Sequence, residues 1–168
     1  MKATKAQLRR VMVKDNLPKV MAAVKTLTAK QVLVGFPADT TMRAGDGSAT
    51  NAMIAYVHDK GSPARNIPQR EFMRTGLLAG QAKIEKHLAG GARAALAGDL
   101  EAVEKSFEAV GMVATNAIKA KLRSGPFAPL SEKTLAARRR RGRTGDKPLN
   151  DTGQLTRAVT FVTRARKT

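Results

Sequence analysis

Residues 77–122, LLAGQAKIEKHLAGGARAALAGDLEAVEKSFEAVGMVATNAIKAKL, decide the fold of this chain. Apolar residues recur in this stretch at intervals of three and four, which places them on one face of a helix. The pattern breaks at Gly98, a natural helix stop, and Asp99 beside it can accept the free N–H groups of a second helix. Two long helices over residues 77–96 and 100–122 are therefore predicted to form a hairpin. Its expected weak points or close-approach sites are Gly90, Gly91 and Gly111.

Two short β-branched segments lie on either side of the hairpin in the sequence. Residues 31–36 (QVLVGF) are followed by a proline, and residues 158–163 (AVTFVT) combine β-branched and aromatic side chains. We expect both segments to be strands that pair with each other. With the hairpin they predict an α+β fold, in which a small sheet packs against the two long helices and extended docking loops complete the domain.

Shorter helices are predicted from their starting residues. Pro18 fits the first turn of a helix of about ten residues, because its missing N–H would have no partner there. Asn51 can cap a helix through residue 58, and Ser131 can cap a helix over residues 132–141. The intervening residues 38–50 are rich in Gly, Asp, Thr and Ser and are predicted to form a loop.

The length of 168 residues fits one domain. We assign residues 1–16 to a basic N-terminal arm, for which an extended arm and a short helix are equally favoured, and residues 17–168 to a single domain. Cysteine is absent, which excludes disulfides, thiolate nucleophiles and cysteine-ligated zinc. No apolar run is long enough to cross a membrane and no secretory leader is visible, so we expect a soluble protein made in the cytoplasm.

Positive charge is concentrated in the last third of the chain. Residues 119–168 hold 14 basic and 3 acidic side chains (+11), out of a total of +18. The densest run is Arg138, Arg139, Arg140, Arg141 and Arg143. A solvated helix end is one interpretation, but four consecutive arginines cover every side of a helix, which favours a nucleic acid or an acidic neighbouring subunit. Stacking aromatics are not interleaved with them, so sequence-specific reading is not expected.

Candidate catalytic residues are few and poorly placed. His58 and His87 lie on different predicted helices without a partner histidine three or four residues away, which argues against a metal site. Glu101, Glu104 and Glu108 share one helix face opposite the apolar stripe, the pattern of a solvated surface. No nucleophile elbow or phosphate-binding loop occurs. We therefore predict that the chain is not an enzyme and needs no cofactor or metal.

Three loop motifs remain, and each places proline or glycine beside apolar anchors and a basic residue. They are GSPARNIPQREF (residues 61–72), GPFAPLSEKTL (125–135) and KPLNDTGQL (147–155). Rigid docking loops have this composition, although three ordinary turns would also fit. The candidate anchors to neighbouring subunits are Ile67, Phe72, Phe127, Pro129 and Leu149, with Arg65, Arg70 and the arginine run as charged contacts.

These motifs carry a family resemblance. The run NAMIAYVHDKGSPARNIPQREFMR, then PFAPLSEKTL and KPLNDTGQLTRAVTF, resembles bacteriophage virion-morphogenesis proteins, the tail-completion and minor tail protein Z-like families. The likeness extends from about residue 32 to residue 162 and includes the order of the motifs and the two helices between them. The chain departs from the family pattern at Glu71, where proline is usual, at Asp59 and Lys60, and at Ala158.

The resemblance implies a non-enzymatic virion component located in the tail or neck. Such a protein is expected to form a ring of identical subunits, a hexamer in our prediction, at the head-proximal end of the tail. Its partners would be further copies of itself and neighbouring neck, tail-terminator or tail-tube proteins, with phage DNA in the lumen as a further candidate and neither a membrane nor a small-molecule substrate. The rival hypothesis is a free nucleic-acid-binding protein that acts through its basic C-terminal region.

Overall fold

The computed structural model describes residues 15–37 and 49–166, so the predicted arm up to residue 14 and most of the predicted loop 38–50 lie outside the described residues. In chain order the described elements are α1 (Leu17–Ala29), β1 (Lys30–Gly35), α2 (Asn51–Lys60), a 3-10 turn (Pro63–Arg65), α3 (Phe72–Leu96), α4 (Leu100–Ser124), α5 (Glu132–Arg140), α6 (Gln154–Ala158) and β2 (Thr160–Ala165). The predicted α+β class is confirmed in outline: the protein is mostly helical, with two long antiparallel helices and a small antiparallel sheet.

The predicted hairpin is formed by α3 and α4, which make the most extensive contact in the described structure. Asp99 caps α4 as expected, with its carboxylate oxygen accepting the Ala102 N–H at 3.0 Å. The start of α3 was predicted at residue 77 but lies at Phe72. The Asp59 carboxylate, from α2, accepts the Met73 N–H at 3.0 Å and so caps α3 from a distance. This tertiary cap explains why the helix begins earlier than its own sequence indicates.

Glycines let the two long helices approach each other closely. A Cβ atom on Gly76 would lie 2.9 Å from the Ile118 Cα atom, and one on Gly80 would lie 2.9 Å from the Ala117 Cβ atom. Gly91 faces the Ser106 side chain, and Gly111 lies under the Phe161 ring of β2, so close approach at these two predicted positions is confirmed. Gly90 is not a close-approach site, because outside its own stretch of helix no described atom lies within 4 Å of where its Cβ would be, and only the predicted role of a weak point remains for it.

The sheet consists of β1 and β2, paired antiparallel as predicted, with Lys30 opposite Ala165 and Gly35 opposite Thr160. Both strands contact α4. The boundary of the second strand was wrong, because Ala158 ends α6, a short helix that sequence analysis did not predict. That helix begins after Gly153, whose φ of +71° favours glycine and whose carbonyl oxygen accepts the Arg157 N–H at 3.0 Å.

The main core lies where α3 and α4 meet α2 and α6. Its buried members are Ala55, Phe72, Ile118, Leu122, Leu155 and Val159. The Phe72 ring also meets the Phe36 ring edge-on, with centroids 6.1 Å apart, an arrangement that aromatic pairs prefer. A second cluster of Ala23, Ala95, Val103 and Phe107 attaches α1 to the hairpin. The core therefore fixes α2 and α6 at the end of the hairpin where the three loop motifs lie.

Two predicted helix starts had different outcomes. Ser131 caps α5 as predicted, because its hydroxyl oxygen accepts the Thr134 N–H at 3.3 Å. The predicted cap Asn51 is wrong: Thr50 caps α2 by accepting the Met53 N–H at 3.2 Å. Asn51 is the first helical residue instead, and it is fully buried, with neither side-chain amide atom hydrogen-bonded in the described structure. α1 is also slightly longer than predicted, with Pro18 in its first turn.

Candidate docking surface

The three loop motifs, far apart in the sequence, lie around α2 and α5 at one end of the molecule. We call residues 61–71, 125–131 and 142–153 together the loop cluster. Arg70 of the first loop hydrogen-bonds to backbone carbonyls of the second. Arg138 of α5 hydrogen-bonds to carbonyls of the third. The third loop also lines a small cavity with His58 of α2 and Thr134 of α5, so all three loops belong to one region.

Arg70 ties the first two loops together from the inside. Its guanidinium donates from Nε and Nη2 to the Ala128 carbonyl at 3.1 and 3.0 Å, and from Nη2 to the Pro129 carbonyl at 3.1 Å. Nη1 lies 3.3 Å from His58 Nδ1. The side chain is only 4% exposed, and burial lowers the pKa of Arg70 from its ordinary value. The prediction that Arg70 contacts a neighbouring subunit is corrected: its donors are used within the chain.

Between the first two loops runs a surface groove of about 930 Å³. Ile67 and Pro129, two of the predicted docking residues, lie on its two sides, and Arg70 lies at its base. Ile67 is half-buried and Pro129 is exposed, so both offer apolar surface to a partner. The remaining lining residues are His58, Lys60, Gly61, Pro63, Asn66, Pro68, Gln69, Leu130, Ser131 and Thr134. The lining holds the basic residues Lys60 and Arg70 and no acidic one, which gives the groove a positive character, although Lys60 also pairs with the buried Asp59 at 3.2 Å.

Arg138 holds the third loop in the same manner. Its Nη1 donates to the Gly145 carbonyl at 2.8 Å and to the Lys147 carbonyl at 3.0 Å, and its Nε lies 3.6 Å from an Asp151 carboxylate oxygen. Asp151 also accepts a hydrogen bond from Arg143. Arg138 is 9% exposed, so its predicted role as a contact to DNA or an acidic partner is corrected. It is a structural residue of the loop cluster.

The other predicted anchors differ in how deeply they are buried. Phe72 is fully buried in the chain's own core, so its predicted docking role is also corrected. Phe127 and Leu149 are half-buried and pack against that core, with part of each side chain still accessible. Leu149 has a φ of +63°, a left-handed backbone conformation that is uncommon outside glycine. The accessible docking candidates are therefore Ile67, Phe127, Pro129 and Leu149.

Arg139, Arg140 and Arg141 remain exposed at the end of α5, and we call them the arginine surface. In the described part of the chain none of the three forms an ion pair, whereas Arg138 and Arg143 share Asp151. Helical geometry explains the division, because successive residues point about 100° apart and only one of four can face the domain. That one is Arg138, three residues after the half-buried Leu135 on the same helix face.

Three glutamates of the middle region, Glu71, Glu101 and Glu104, form ion pairs. Lys30 contacts Glu104, and Lys105 lies 2.6 Å from Glu101. Arg74 donates from Nε and Nη2 to the two Glu71 carboxylate oxygens at 2.7 and 2.9 Å. The hydrogen bond from Arg74 holds the pKa of Glu71 below its ordinary value and raises that of Arg74. These residues are exposed or near the surface, where ion pairs contribute little to stability.

Asp59 and Asp151 are the structurally important residues that sequence analysis missed. Asp59 is 5% exposed and caps α3, while Asp151 pairs with two arginines. Neither role has a local signature, since the Met73 N–H that Asp59 caps and the arginines that Asp151 binds lie at least eight positions away. The burial of Arg138 had no decisive local signal either, because Arg138 and Arg139 lie three and four residues after Leu135 and both are neighbours of it on the helix.

The described residues contain no group of three or more His, Cys, Asp or Glu side chains able to hold a metal ion. Across residues 15–37 and 49–166, no helix has the length and apolar character needed to cross a membrane. Comparison of the chain with protein-family models, curated proteins and solved structures finds no match.

Proposed function

We propose that this chain is a structural, non-enzymatic component of a bacteriophage particle. It would form a ring of identical subunits at the head-proximal end of the tail and join the tail to the head connector. The observation that carries the proposal is the loop cluster: the three segments that resemble virion-morphogenesis proteins lie together at one end of the molecule. Residues that are scattered in the sequence but adjacent in space are what a shared docking surface requires.

The way the loop cluster is held supports a docking role. Buried guanidiniums of Arg70 and Arg138 bind four backbone carbonyls, so the loops are fixed before any partner arrives. Loops that are already ordered lose less conformational entropy on association. The apolar surface of Ile67 and Pro129 then lies beside a groove with a positive character. The expected occupants are a neighbouring copy of the chain, in a hexameric ring, and the adjoining neck, tail-terminator or tail-tube proteins.

The two groove residues with a side chain suited to catalysis, Ser131 and His58, have structural partners, which favours a docking surface over a catalytic one. The Ser131 hydroxyl caps α5, and one His58 ring nitrogen faces the Arg70 guanidinium. A hydroxyl nucleophile would instead need its oxygen beside a base that is free to take the proton. In the proposed role these residues therefore hold the docking surface in shape and carry out no chemical step.

Sedimentation of the full chain over a range of concentrations tests the proposal. We expect a concentration-dependent ring, which Pro129→Asp weakens by placing a charge on exposed apolar surface of the groove. Ala89→Asp, an exposed position of α3 outside the loop cluster, is the matched control and should leave association unchanged. A chain that stays monomeric at every concentration, or equal effects of both substitutions, would contradict the proposal.

A further inference from the structure

We infer that the arginine surface binds the phosphate backbone of a nucleic acid without reading its sequence. The inference does not depend on the proposed function, since a nucleic acid could be met inside a particle or outside it. It rests on Arg139, Arg140 and Arg141, which are exposed at the end of α5 and form no ion pair in the described structure.

Structural roles account for only part of the arginine run. Arg138 is used inside the loop cluster and Arg143 is paired with Asp151. Complementing the α5 dipole would need only about half an elementary charge at the helix end. Three further adjacent guanidiniums exceed that need and repel one another, so the fold alone gives no reason for them. A partner of dense negative charge would relieve this repulsion.

The neighbourhood of the arginine surface is also positive. Residues 132–157 contain eight basic and three acidic side chains, a net charge of +5, and one of the acids, Asp151, is engaged with Arg138 and Arg143. Lys147 in the third loop and Arg157 on α6 are both exposed. Along the chain, the positive charge therefore continues from the end of α5 through the third loop to α6.

This distribution favours a nucleic acid over an acidic protein. Arg139 and Arg140 point about 100° apart around the last turn of α5, and Arg141 follows as its C-cap residue, so one carboxylate could not engage all three. Duplex DNA carries one negative charge for about every 1.7 Å of its axis, and arginine forms paired hydrogen bonds with phosphate oxygens. Phe127 and Phe161 are the nearest aromatics in the sequence, and both are half-buried, so a platform for stacking bases is not offered here.

Fluorescence anisotropy with two unrelated 30-base-pair duplexes, measured over a range of salt concentrations, tests the inference. The triple variant Arg139→Ala, Arg140→Ala, Arg141→Ala should weaken binding of both duplexes at least about tenfold at low salt. It should also reduce the slope of log K against log salt by about 2.7, the value expected for three lost phosphate contacts. The control triple variant Lys83→Ala, Lys86→Ala, Arg93→Ala removes equal charge from exposed positions of α3 and should retain most of the slope.

Three outcomes would overturn the inference. The first is an equal loss in both triple variants, which would mean that only net charge matters. The second is an unchanged salt slope in the arginine variant. The third is displacement of DNA by poly-glutamate as efficiently as by unlabelled DNA of equal charge, which would indicate an acidic protein partner. An unchanged unfolding midpoint establishes that the arginine variant is folded. If the triple variant does not fold, the single charge reversal Arg140→Glu, which should also weaken DNA binding, provides a second test.

Discussion

The helical hairpin and the loop cluster are held together by different forces. In the hairpin, glycines at positions 76 and 80 of α3 let the backbone come within contact distance of Ile118 and Ala117 on α4. In the loop cluster, two buried guanidiniums bind backbone carbonyls of segments that have no regular structure. The hairpin therefore depends on shape and apolar contact, whereas the loop cluster depends on charged hydrogen bonds.

This difference shows that residue type alone does not reveal a role. Arg138 and Arg139 are adjacent and chemically identical, yet one is a buried tether and the other an exposed charge. Gly76 and Gly90 lie in the same helix, yet one is at a close contact and the other faces open space. Substitutions at such matched pairs separate the two regions experimentally.

The largest effect is expected in the core that joins the two regions. Phe72→Ala removes a fully buried ring that packs with Phe36 and the main core, and the resulting cavity should lower the free energy of unfolding by about 3–5 kcal/mol. Denaturant unfolding measures this change. Leu78→Ala, at a 53% exposed position of the same helix, is the control. Similar losses in both variants would show that the Phe72 ring is not a core residue.

Arg70→Ala should have the next largest effect and lower the free energy of unfolding by about 2–3 kcal/mol. The Ala128 and Pro129 carbonyls would lose charged donors in a partly buried setting. Arg70→Lys should not restore stability, because an ammonium lacks the planar fork that reaches both carbonyls. Hydrogen exchange should also become faster in residues 125–131. Arg65→Ala, at an exposed position of the same loop, is the control. Equal stability of the Arg70 and Arg65 variants would show that Arg70 does not hold the first two loops together.

Gly76→Ala tests the close approach within the hairpin. The added methyl group would lie 2.9 Å from the Ile118 Cα atom, so the helices must separate, and we expect a loss of about 2 kcal/mol in the free energy of unfolding. Gly90→Ala adds the same methyl group to the same helix in open space. Alanine is the better helix former, so thermal unfolding of that variant should show a gain of about 0.5–1 kcal/mol. Destabilisation by both substitutions would argue against a specific contact at Gly76.

The smallest changes in the free energy of unfolding are expected at two adjacent arginines, Arg138 and Arg139, which differ in burial. Arg138→Ala leaves the Gly145 and Lys147 carbonyls without their donor and should reduce the free energy of unfolding by about 1–2 kcal/mol. Arg139→Ala alters an exposed side chain, so its effect on unfolding should stay within about 0.5 kcal/mol. Urea titrations measure both changes. If Arg139→Ala lowered the free energy of unfolding more than Arg138→Ala, the burial of Arg138 would not matter for stability.

The parts of the fold that local patterns determine were predictable from the sequence. The hairpin follows from three- and four-residue spacing, and Asp99 and Ser131 cap the helices that directly follow them. The strand pair was also found, because both segments are short and β-branched. The arginine surface was predicted only as part of a longer run, from its charge.

Features that depend on distant partners were not predictable in the same way. The start of α3 is set by Asp59, fourteen residues before the N–H that it accepts. Arg70 is buried because the carbonyls of a segment 58 and 59 residues away lie beside it. A buried arginine and an exposed one look alike in a sequence, so Arg70 and Arg138 were assigned to the surface. Asn51, expected to be a cap, is buried because α2 begins one residue earlier, after Thr50.

A density map of the phage particle in which this chain is located would test the proposed ring directly. We expect a ring of identical copies at the head-proximal end of the tail, with the groove beside Ile67 and Pro129 covered by a neighbouring subunit. A particle that lacks the chain, or a ring in which the loop cluster faces solvent and the subunits meet through α3 alone, would contradict it.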